Sequence, residues 1–229
     1  MLPRSWRLAV LACLAVLLGT LVHPTGTAEA ASRPLVAVVG DSYTVGRGAT
    51  TTAGAWWHYT VADLGWSPGT IVGDSGGGYV DRGTAGTFAD ALRAHPINKA
   101  TNYVLLQGGL NDAGHSPASV MAGVRDVLAL IQAQAPHAVI IVIGAFLPSA
   151  ESVTPNYVDV ARAIGDKRAL GRTRYLTGFM CSYSLAGDGI HPDTAGHRTI
   201  GHFVSWHIAH GLDNWPPFHK DPSGTFYTA

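Results

Sequence analysis

The sequence predicts an α/β domain built on a parallel sheet of five strands. From Pro34 onward, short apolar runs rich in β-branched residues alternate with longer segments that have the periodicity of helices. The strand-like runs are apolar throughout, which is typical of strands buried on both faces of a parallel sheet. The chain has 229 residues, 47% of them hydrophobic, which is enough for one such domain with a sizeable core.

Five runs are predicted as strands, and helices are predicted between and after them. The strands are LVAVVG (35–40), GTIVG (69–73), YVLLQGG (103–109), AVIIVIGAF (138–146) and RYLTGF (174–179). The helices are 55–65, 87–95, 117 to about 135, 156–170 and 194–210. Ser116 and Pro117 supply an N-cap and a first-turn proline for the longest helix. The last helix places Ile200, Phe203, Val204 and Ile208 on one face.

The N-terminal segment, residues 1–30, has the three-part pattern of a secretory signal peptide. Arg4 and Arg7 precede an apolar run over residues 8–22, and Ala28-Glu29-Ala30 offers a cleavage site. The alternative is an uncleaved membrane anchor, but this apolar run is shorter than the roughly 20 residues that span a bilayer. We therefore expect a secreted protein, extracellular or associated with the cell wall, with no membrane span after cleavage.

Charge and cysteine content exclude several other classes of protein. The formal net charge is zero, so no footprint for nucleic-acid binding is present. Cys13 lies inside the apolar leader, which leaves Cys181 as the single cysteine after cleavage and excludes an intrachain disulfide. The segment 213–229 is rich in proline and aromatic residues, and we expect it to be irregular and to pack on the domain.

Chemistry-bearing residues follow the predicted strands, at the edge where parallel sheets place their ligand sites. They are Gly40-Asp41-Ser42-Tyr43 after the first strand, Ser75-Gly76-Gly77-Gly78 after the second, Gly109-Leu110-Asn111-Asp112 after the third and Gly187-Asp188-Gly189-Ile190-His191-Pro192 after the fifth. Acyl transfer requires a hydroxyl nucleophile, an imidazole base, a carboxylate and donors for an oxyanion. All four kinds of group occur at this edge, which favours an esterase.

In their order along the chain, G-D-S-x-x-x-G, a strand-end glycine, G-x-N-D and D-x-x-H-P resemble the four sequence blocks of the SGNH (GDSL-type) hydrolases. The resemblance covers residues 36–197. It implies a single domain, residues 31–212, with a flavodoxin-like three-layer α/β/α fold and cofactor-free esterase or lipase activity. It also implies that Ser42 is the nucleophile, that His191 is the general base and that Asp188 orients His191.

The same resemblance implies an oxyanion hole made of the Ser42 backbone N–H, the Gly76 backbone N–H and the Asn111 side-chain amide. Any glycine of the triplet 76–78 can fill the second position, and Gly76 fits the family pattern best. Tyr43 stands where the name-giving motif has leucine. We predict that Tyr43 and Tyr79 contact the substrate.

A second Gly-Asp-Ser, at residues 73–75, offers a rival nucleophile because Gly73-Asp74-Ser75-Gly76-Gly77 also fits G-x-S-x-G. A trypsin-like site around Ser75 requires two β-barrels, an upstream histidine and usually disulfides. An α/β-hydrolase site would place its acid and its histidine after separate late strands. Neither arrangement accounts for Ser42 or Asn111, so Ser42 is the predicted nucleophile.

Several other residues have both a structural and a functional interpretation. The carboxylates of Asp41, Asp74 and Asp112 are typical of turns that cap their own backbone. The last helix carries His197, His202, His207 and His210, but their spacing does not predict a metal site. Trp56, Trp57 and Tyr79 suit either the core or a sugar ring, and Cys181 suits the core.

The sequence thus predicts a secreted, monomeric serine esterase that forms an acyl-enzyme and needs neither metal nor cofactor. Its expected partner is a small-molecule, lipid or polysaccharide ester with short or medium acyl groups, and not a nucleic acid. Two alternatives remain: an acyltransferase that uses the same acyl-enzyme, and a non-catalytic domain that binds carbohydrate or a surface.

Overall fold

The structure is a computed structural model that describes residues 33–149, 152, 154–166, 173–179 and 181–211, and the backbone of residues 219–220 and 226–227. The predicted leader, 1–30, and most of the segment 213–229 lie outside the described residues. The predictions of a signal peptide and of a docked tail therefore stay predictions. Among the described residues, no helix is both long and apolar enough to cross a membrane.

Five parallel strands form the central sheet. They are β1 (Leu35–Gly40), β2 (Ser67–Gly73), β3 (Tyr103–Gln107), β4 (Val139–Ile143) and β5 (Arg174–Leu176). Their order across the sheet is β2-β1-β3-β4-β5, and every neighbouring pair is parallel. This is the strand order of a flavodoxin-like doubly wound fold, so the predicted architecture is confirmed.

The predicted helices connect the strands in the predicted order, but the helix expected over 156–170 ends at Ile164, and a one-turn helix that was not predicted follows the first strand. The helices are α1 (Ser42–Val45), α2 (Trp56–Asp63), α3 (Phe88–Ala94), α4 (Pro117–Gln134), α5 (Pro155–Ile164) and α6 (Thr194–His210). The Ser116 hydroxyl caps α4 by accepting the Ser119 N–H, and Thr87 with Asp90 forms a capping box at the start of α3. The third strand ends at Gln107 rather than Gly109, because the backbone turns away from the sheet at Gly109, where φ is 109°.

Alternate strand residues face opposite sides of the sheet, and two hydrophobic cores result. On one face, sheet residues such as Val39, Leu106 and Val142 pack with α3, α4 and α5. On the other face, residues such as Val38, Leu105 and Ile141 pack with α2 and α6. Because both faces are covered, the strands are apolar at successive positions, as the sequence pattern predicted.

The second core includes Trp56 and Trp57, whose role the sequence left open, and Cys181, which was predicted to belong to the core. Trp56 and Trp57 are buried between α2 and the sheet, and the Trp57 indole N–H donates to the Thr44 carbonyl over 3.1 Å. Cys181 is buried beside them, and burial raises the pKa of its thiol to about 12. These three residues belong to the core.

A short antiparallel ladder lies in the segment for which no regular structure was predicted. It joins β6 (His219–Lys220) to β7 (Phe226–Tyr227).

Candidate active site

The first strand delivers Ser42 to the carboxyl edge of the sheet at the start of α1. Asp41 caps this one-turn helix because its carboxylate accepts the Tyr43 N–H over 2.9 Å. Gly46 ends the helix in the left-handed conformation, with φ of 86°, and its N–H donates to the carbonyls of Ser42 and Tyr43. Ser42 is 6% exposed. Ser42 therefore lies, largely buried, on a short helical turn that is capped at both ends, at the carboxyl edge of the sheet.

The loop after β5 brings two further predicted residues to Ser42. The His191 Nε2 lies 3.0 Å from the Ser42 Oγ, and the His191 Nδ1 lies 2.7 Å from an Asp188 carboxylate oxygen. Both contacts are within hydrogen-bond range. The structure thus forms a continuous hydrogen-bonded chain from a hydroxyl through an imidazole to a carboxylate.

The loop itself fixes the relative positions of Asp188 and His191. One Asp188 carboxylate oxygen accepts the N–H groups of Ile190 and His191, each over 3.0 Å, while the other oxygen faces the His191 ring. These hydrogen bonds, first of all the one with the His191 side chain, hold the pKa of Asp188 well below its usual range. Asp188 is therefore a stable acceptor for the Nδ1–H of His191, although its side chain is 47% exposed.

The three glycines of the turn after β2 differ in whether their backbone N–H already donates a hydrogen bond. The Gly77 N–H donates to the Asp74 carbonyl over 3.0 Å, and the Gly78 N–H donates to the Asp81 carbonyl over 3.1 Å. Within the described part of the chain, the N–H groups of Ser42 and Gly76 have no acceptor. Gly76 has φ of 81°, a conformation that glycine adopts at no cost.

Asn111, after β3, contacts the same turn. Its side-chain amide donates one hydrogen bond to the Gly77 carbonyl over 2.8 Å. A primary amide has two N–H donors, so this contact orients the group and leaves the second N–H available. The structure therefore brings Gly76 and Asn111, from two strand ends, to one turn beside the edge that carries Ser42.

Three buried carboxylates shape these strand ends. Asp112 accepts the N–H groups of Tyr79, Val80 and Asp81 over 2.9–3.0 Å, and a side chain at Gly78 would collide with its carboxylate. Asp74 accepts from the backbone and the hydroxyl of Thr84 and from the Ala85 N–H. These two residues hold the Gly-rich turn.

Asp41 is the third buried carboxylate and lies directly behind Ser42. Besides the Tyr43 N–H, it accepts the Gln107 side-chain amide over 3.2 Å. Burial raises the pKa of Asp41 to about 6, although both hydrogen bonds oppose the rise. The residue is 0% exposed.

Both tyrosines that were predicted to contact substrate are buried in the structure, and their contact with substrate stays a prediction. Tyr43 is 1% exposed and Tyr79 is 3% exposed. The Tyr43 ring packs against Phe146, and its hydroxyl donates to the Ile190 carbonyl over 2.8 Å. The Tyr79 ring packs edge-on against Phe88 in the opposite core. Tyr43 and Tyr79 thus belong to the hydrophobic cores on the two faces of the sheet.

The rival serine has a different environment from Ser42. Ser75 is half-buried, and its hydroxyl accepts a hydrogen bond from the Arg47 Nε over 3.2 Å. Among the described residues, no histidine or carboxylate side chain contacts the Ser75 hydroxyl. No sequence motif marks an arginine in a loop, so the contact of Arg47 with Ser75 was not predicted.

The histidines of α6 form separate contacts. The His197 Nε2 donates to the Arg47 carbonyl over 2.8 Å, His202 pairs with Asp63 and the His210 Nδ1 donates to the Trp206 carbonyl. In the described ranges, no group of three histidine, cysteine or acidic side chains is placed to hold a metal ion.

Comparisons with known proteins match most of this domain. A model of the GDSL-like lipase/acylhydrolase family matches residues 38–199. A GDSL lipase of Mycobacterium tuberculosis is 27% identical over 179 residues, which cover 72% of this chain and 77% of that protein.

Two solved carbohydrate esterases share the fold. One is a family 2 enzyme from Corynascus thermopiles (Myceliophthora fergusii), solved with a carbohydrate-binding domain. It superposes with a TM-score of 0.62 at 20% identity, over 79% of this chain and 67% of that one. The other, a family two enzyme from Cellvibrio japonicus, gives a TM-score of 0.67 at 15% identity, over 80% of this chain and 62% of that one.

Proposed function

The chain belongs to the GDSL-like lipase/acylhydrolase family and is a carboxylic ester hydrolase, and we propose that Ser42, His191 and Asp188 are its catalytic residues. The observation that carries this proposal is the hydrogen-bonded chain from the Ser42 Oγ through His191 to Asp188. Its distances of 3.0 and 2.7 Å suit transfer of the serine proton to the imidazole.

In the first step, the Ser42 Oγ attacks the ester carbonyl carbon while the His191 Nε2 takes the hydroxyl proton. A new C–O bond forms, and the carbonyl π electrons move to the oxygen to give a tetrahedral oxyanion. The oxyanion then collapses, the bond to the alcohol oxygen breaks, and the imidazolium returns its proton to the departing alcohol. Asp188 stabilises the imidazolium by accepting its Nδ1–H.

Three donors are positioned to stabilise the oxyanion. The N–H groups of Ser42 and Gly76 have no acceptor within the described residues, and the oriented Asn111 amide has one N–H to spare. Gly77 and Gly78 donate elsewhere, which is why we assign the second position to Gly76. In the second step, His191 activates water, which attacks the acyl-enzyme carbonyl and releases the acid and Ser42.

We further propose that the enzyme acts outside the cell on short or medium acyl esters, acetylated carbohydrates among them. The pattern of residues 1–30 supports export. The shared fold with two carbohydrate esterases supports a carbohydrate ester as the substrate. Ile190, which is 57% exposed and adjoins His191, offers a small apolar contact for one part of the substrate.

The test is hydrolysis of a chain-length series of para-nitrophenyl esters and of acetylated xylan by wild type, Ser42→Ala and Ser75→Ala. Ser119→Ala, at an exposed position of α4, is the matched control and retains wild-type activity. We expect Ser42→Ala alone to lose hydrolysis of every ester. Hydrolysis that survives in Ser42→Ala and disappears in Ser75→Ala would overturn the assignment. Added alcohol or sugar acceptors test for acyl transfer, which would give a new ester product.

A further inference from the structure

Arg47 is an exposed cation at the edge that carries Ser42, and its backbone is fixed on two sides. The Arg47 N–H donates to the Ser42 carbonyl over 3.0 Å, and the Arg47 carbonyl accepts from the buried His197 over 2.8 Å. The next residue, Gly48, packs so closely that a side chain there would overlap the Pro192 carbonyl and press on His191. The Arg47 backbone is thus held between the turn that carries Ser42 and the loop that carries His191.

The side chain of Arg47 is held as well. Its Nε–H donates to the Ser75 hydroxyl over 3.2 Å, and Ser75 immediately precedes Gly76. The guanidinium therefore bridges the ends of β1 and β2. One of its five N–H donors is used by this contact, and the four on the two terminal nitrogens are left to bind other groups.

Some exposed arginines of the domain form ion pairs, while Arg125 and Arg198, like Arg47, form none within the described residues. Arg82 and Arg93 pair with Asp90, and Arg162 pairs with Asp159, at 3.2–3.5 Å. Within the described part of the chain, Arg47 forms no ion pair. A guanidinium that is held at Ser75, next to Gly76, and is not neutralised by a protein carboxylate can bind a substrate carboxylate through two parallel hydrogen bonds.

We propose that Arg47 determines specificity by binding a carboxylate on the acyl or the alcohol part of the ester. This inference rests on the proposed function, because it assigns Arg47 to the binding site of the Ser42 reaction. It also gives Ser75 a role, which is to hold the Arg47 guanidinium toward the site. Ser75 is then a positioning residue and not a second nucleophile.

Two pairs of probes test the proposal and separate the two halves of the ester. The acyl pair is the mono-para-nitrophenyl ester of glutaric acid and para-nitrophenyl pentanoate, which have acyl groups of equal length. The alcohol pair is para-acetoxybenzoate and its methyl ester. For each pair the measured quantity is the ratio of kcat/KM for the anionic probe to kcat/KM for the neutral probe, so a general loss of activity cancels.

We expect Arg47→Gln to lower this ratio about 10- to 100-fold in one arm, because a charge-assisted hydrogen bond is lost. Arg47→Lys keeps the positive charge but cannot form two parallel hydrogen bonds with a carboxylate, so it lowers the ratio less. Ser75→Ala also lowers the ratio, because the guanidinium loses the hydrogen bond that holds it. Arg125→Gln removes the same charge from an exposed position of α4 and leaves the ratio unchanged. Raising the NaCl concentration lowers the ratio of the wild type more than that of Arg47→Gln.

Equal ratios for wild type and Arg47→Gln in both arms would overturn the inference, and Ser42-dependent hydrolysis of the neutral probes would still stand. Equal losses for anionic and neutral probes would also overturn it, because they would show a general effect on the reaction. Hydrolysis of the neutral probes by Ser42→Ala at the wild-type rate would overturn the proposed function, and the inference with it.

Discussion

The hydroxyl of Tyr43 donates a 2.8 Å hydrogen bond to the backbone carbonyl of Ile190, one residue before His191. It also lies 3.1 Å from the Tyr183 hydroxyl, which donates to it because the Tyr43 proton is already used. Tyr43 follows Ser42 in the chain. The residue beside the proposed nucleophile thus anchors the loop that carries the proposed base.

Removing this hydroxyl should slow catalysis without removing a catalytic group. We expect Tyr43→Phe to lower kcat about 3- to 10-fold, because one buried hydrogen bond that positions the loop is lost. Steady-state kinetics on para-nitrophenyl acetate measures the change, and the melting temperature reports on the fold. Tyr103→Phe, at the opposite end of the sheet, is the control. Unchanged kcat in Tyr43→Phe would mean that the loop is held without this contact.

The carboxylate of Asp188 is expected to contribute more than its exposure suggests. In Asp188→Asn, the amide either donates toward the His191 Nδ1 or accepts without a negative charge, so the imidazolium loses its stabilisation. We expect kcat to fall about 100- to 10,000-fold, as for the equivalent change in serine proteases. Asp126→Asn, an exposed carboxylate of α4, is the matched control. A fall below about tenfold would contradict the role of Asp188.

Loss of the Asn111 amide should affect turnover far more than substrate binding. An oxyanion donor acts on charge that develops in the transition state, so we expect Asn111→Ala to lower kcat about 100- to 1000-fold with little change in KM. Asn98→Ala, at an exposed position, controls for the loss of an amide. A rise in KM with kcat unchanged would instead assign Asn111 to ground-state binding.

The buried carboxylate of Asp41 predicts a pH-dependent stability. The pKa of Asp41 is 3.8 in the unfolded chain and is raised by burial to about 6 in the fold. Between pH 3.8 and about 6, the Asp41 carboxyl is mostly ionised in the unfolded chain and mostly protonated in the fold. The contribution of Asp41 to stability is therefore fully present below pH 3.8 and is lost as the pH rises toward about 6.

Asp41→Asn cannot ionise and keeps an N-cap acceptor. Relative to wild type, we expect its free energy of unfolding to rise by on the order of 2–3 kcal/mol between pH 4 and pH 7. Urea denaturation across this range measures the difference, with Asp126→Asn as the control. Parallel curves for wild type and Asp41→Asn would show that Asp41 ionises normally in the fold.

Much of the architecture could be predicted from the sequence because its signals are local. Apolar runs and caps such as Ser116-Pro117 predict strands and helix starts, and the match of a family model over residues 38–199 confirms the resemblance that the four blocks indicated. Gly76 was chosen from the family pattern, and the structure adds a physical reason for proposing it, because the N–H groups of Gly77 and Gly78 donate to other carbonyls.

Side-chain direction is the information that the sequence lacked. Tyr43 and Tyr79 adjoin functional segments, and adjacency suggested contact with substrate. In the fold, both rings turn into the apolar layers, where a large ring removes more surface from water. The position of the Arg47 side chain was not predicted either, because it depends on a hydrogen bond to Ser75, 28 residues away.

The separation of Ser42 from His191 by 149 residues has a consequence for how the enzyme is made. Synthesis proceeds from the N-terminus, so the proposed nucleophile leaves the ribosome long before the proposed base does. Until the loop after β5 reaches the sheet, Ser42 lacks its hydrogen bond to His191, and we expect the nascent chain to be inert toward esters. We therefore expect ester hydrolysis to begin only when the last part of the domain has folded.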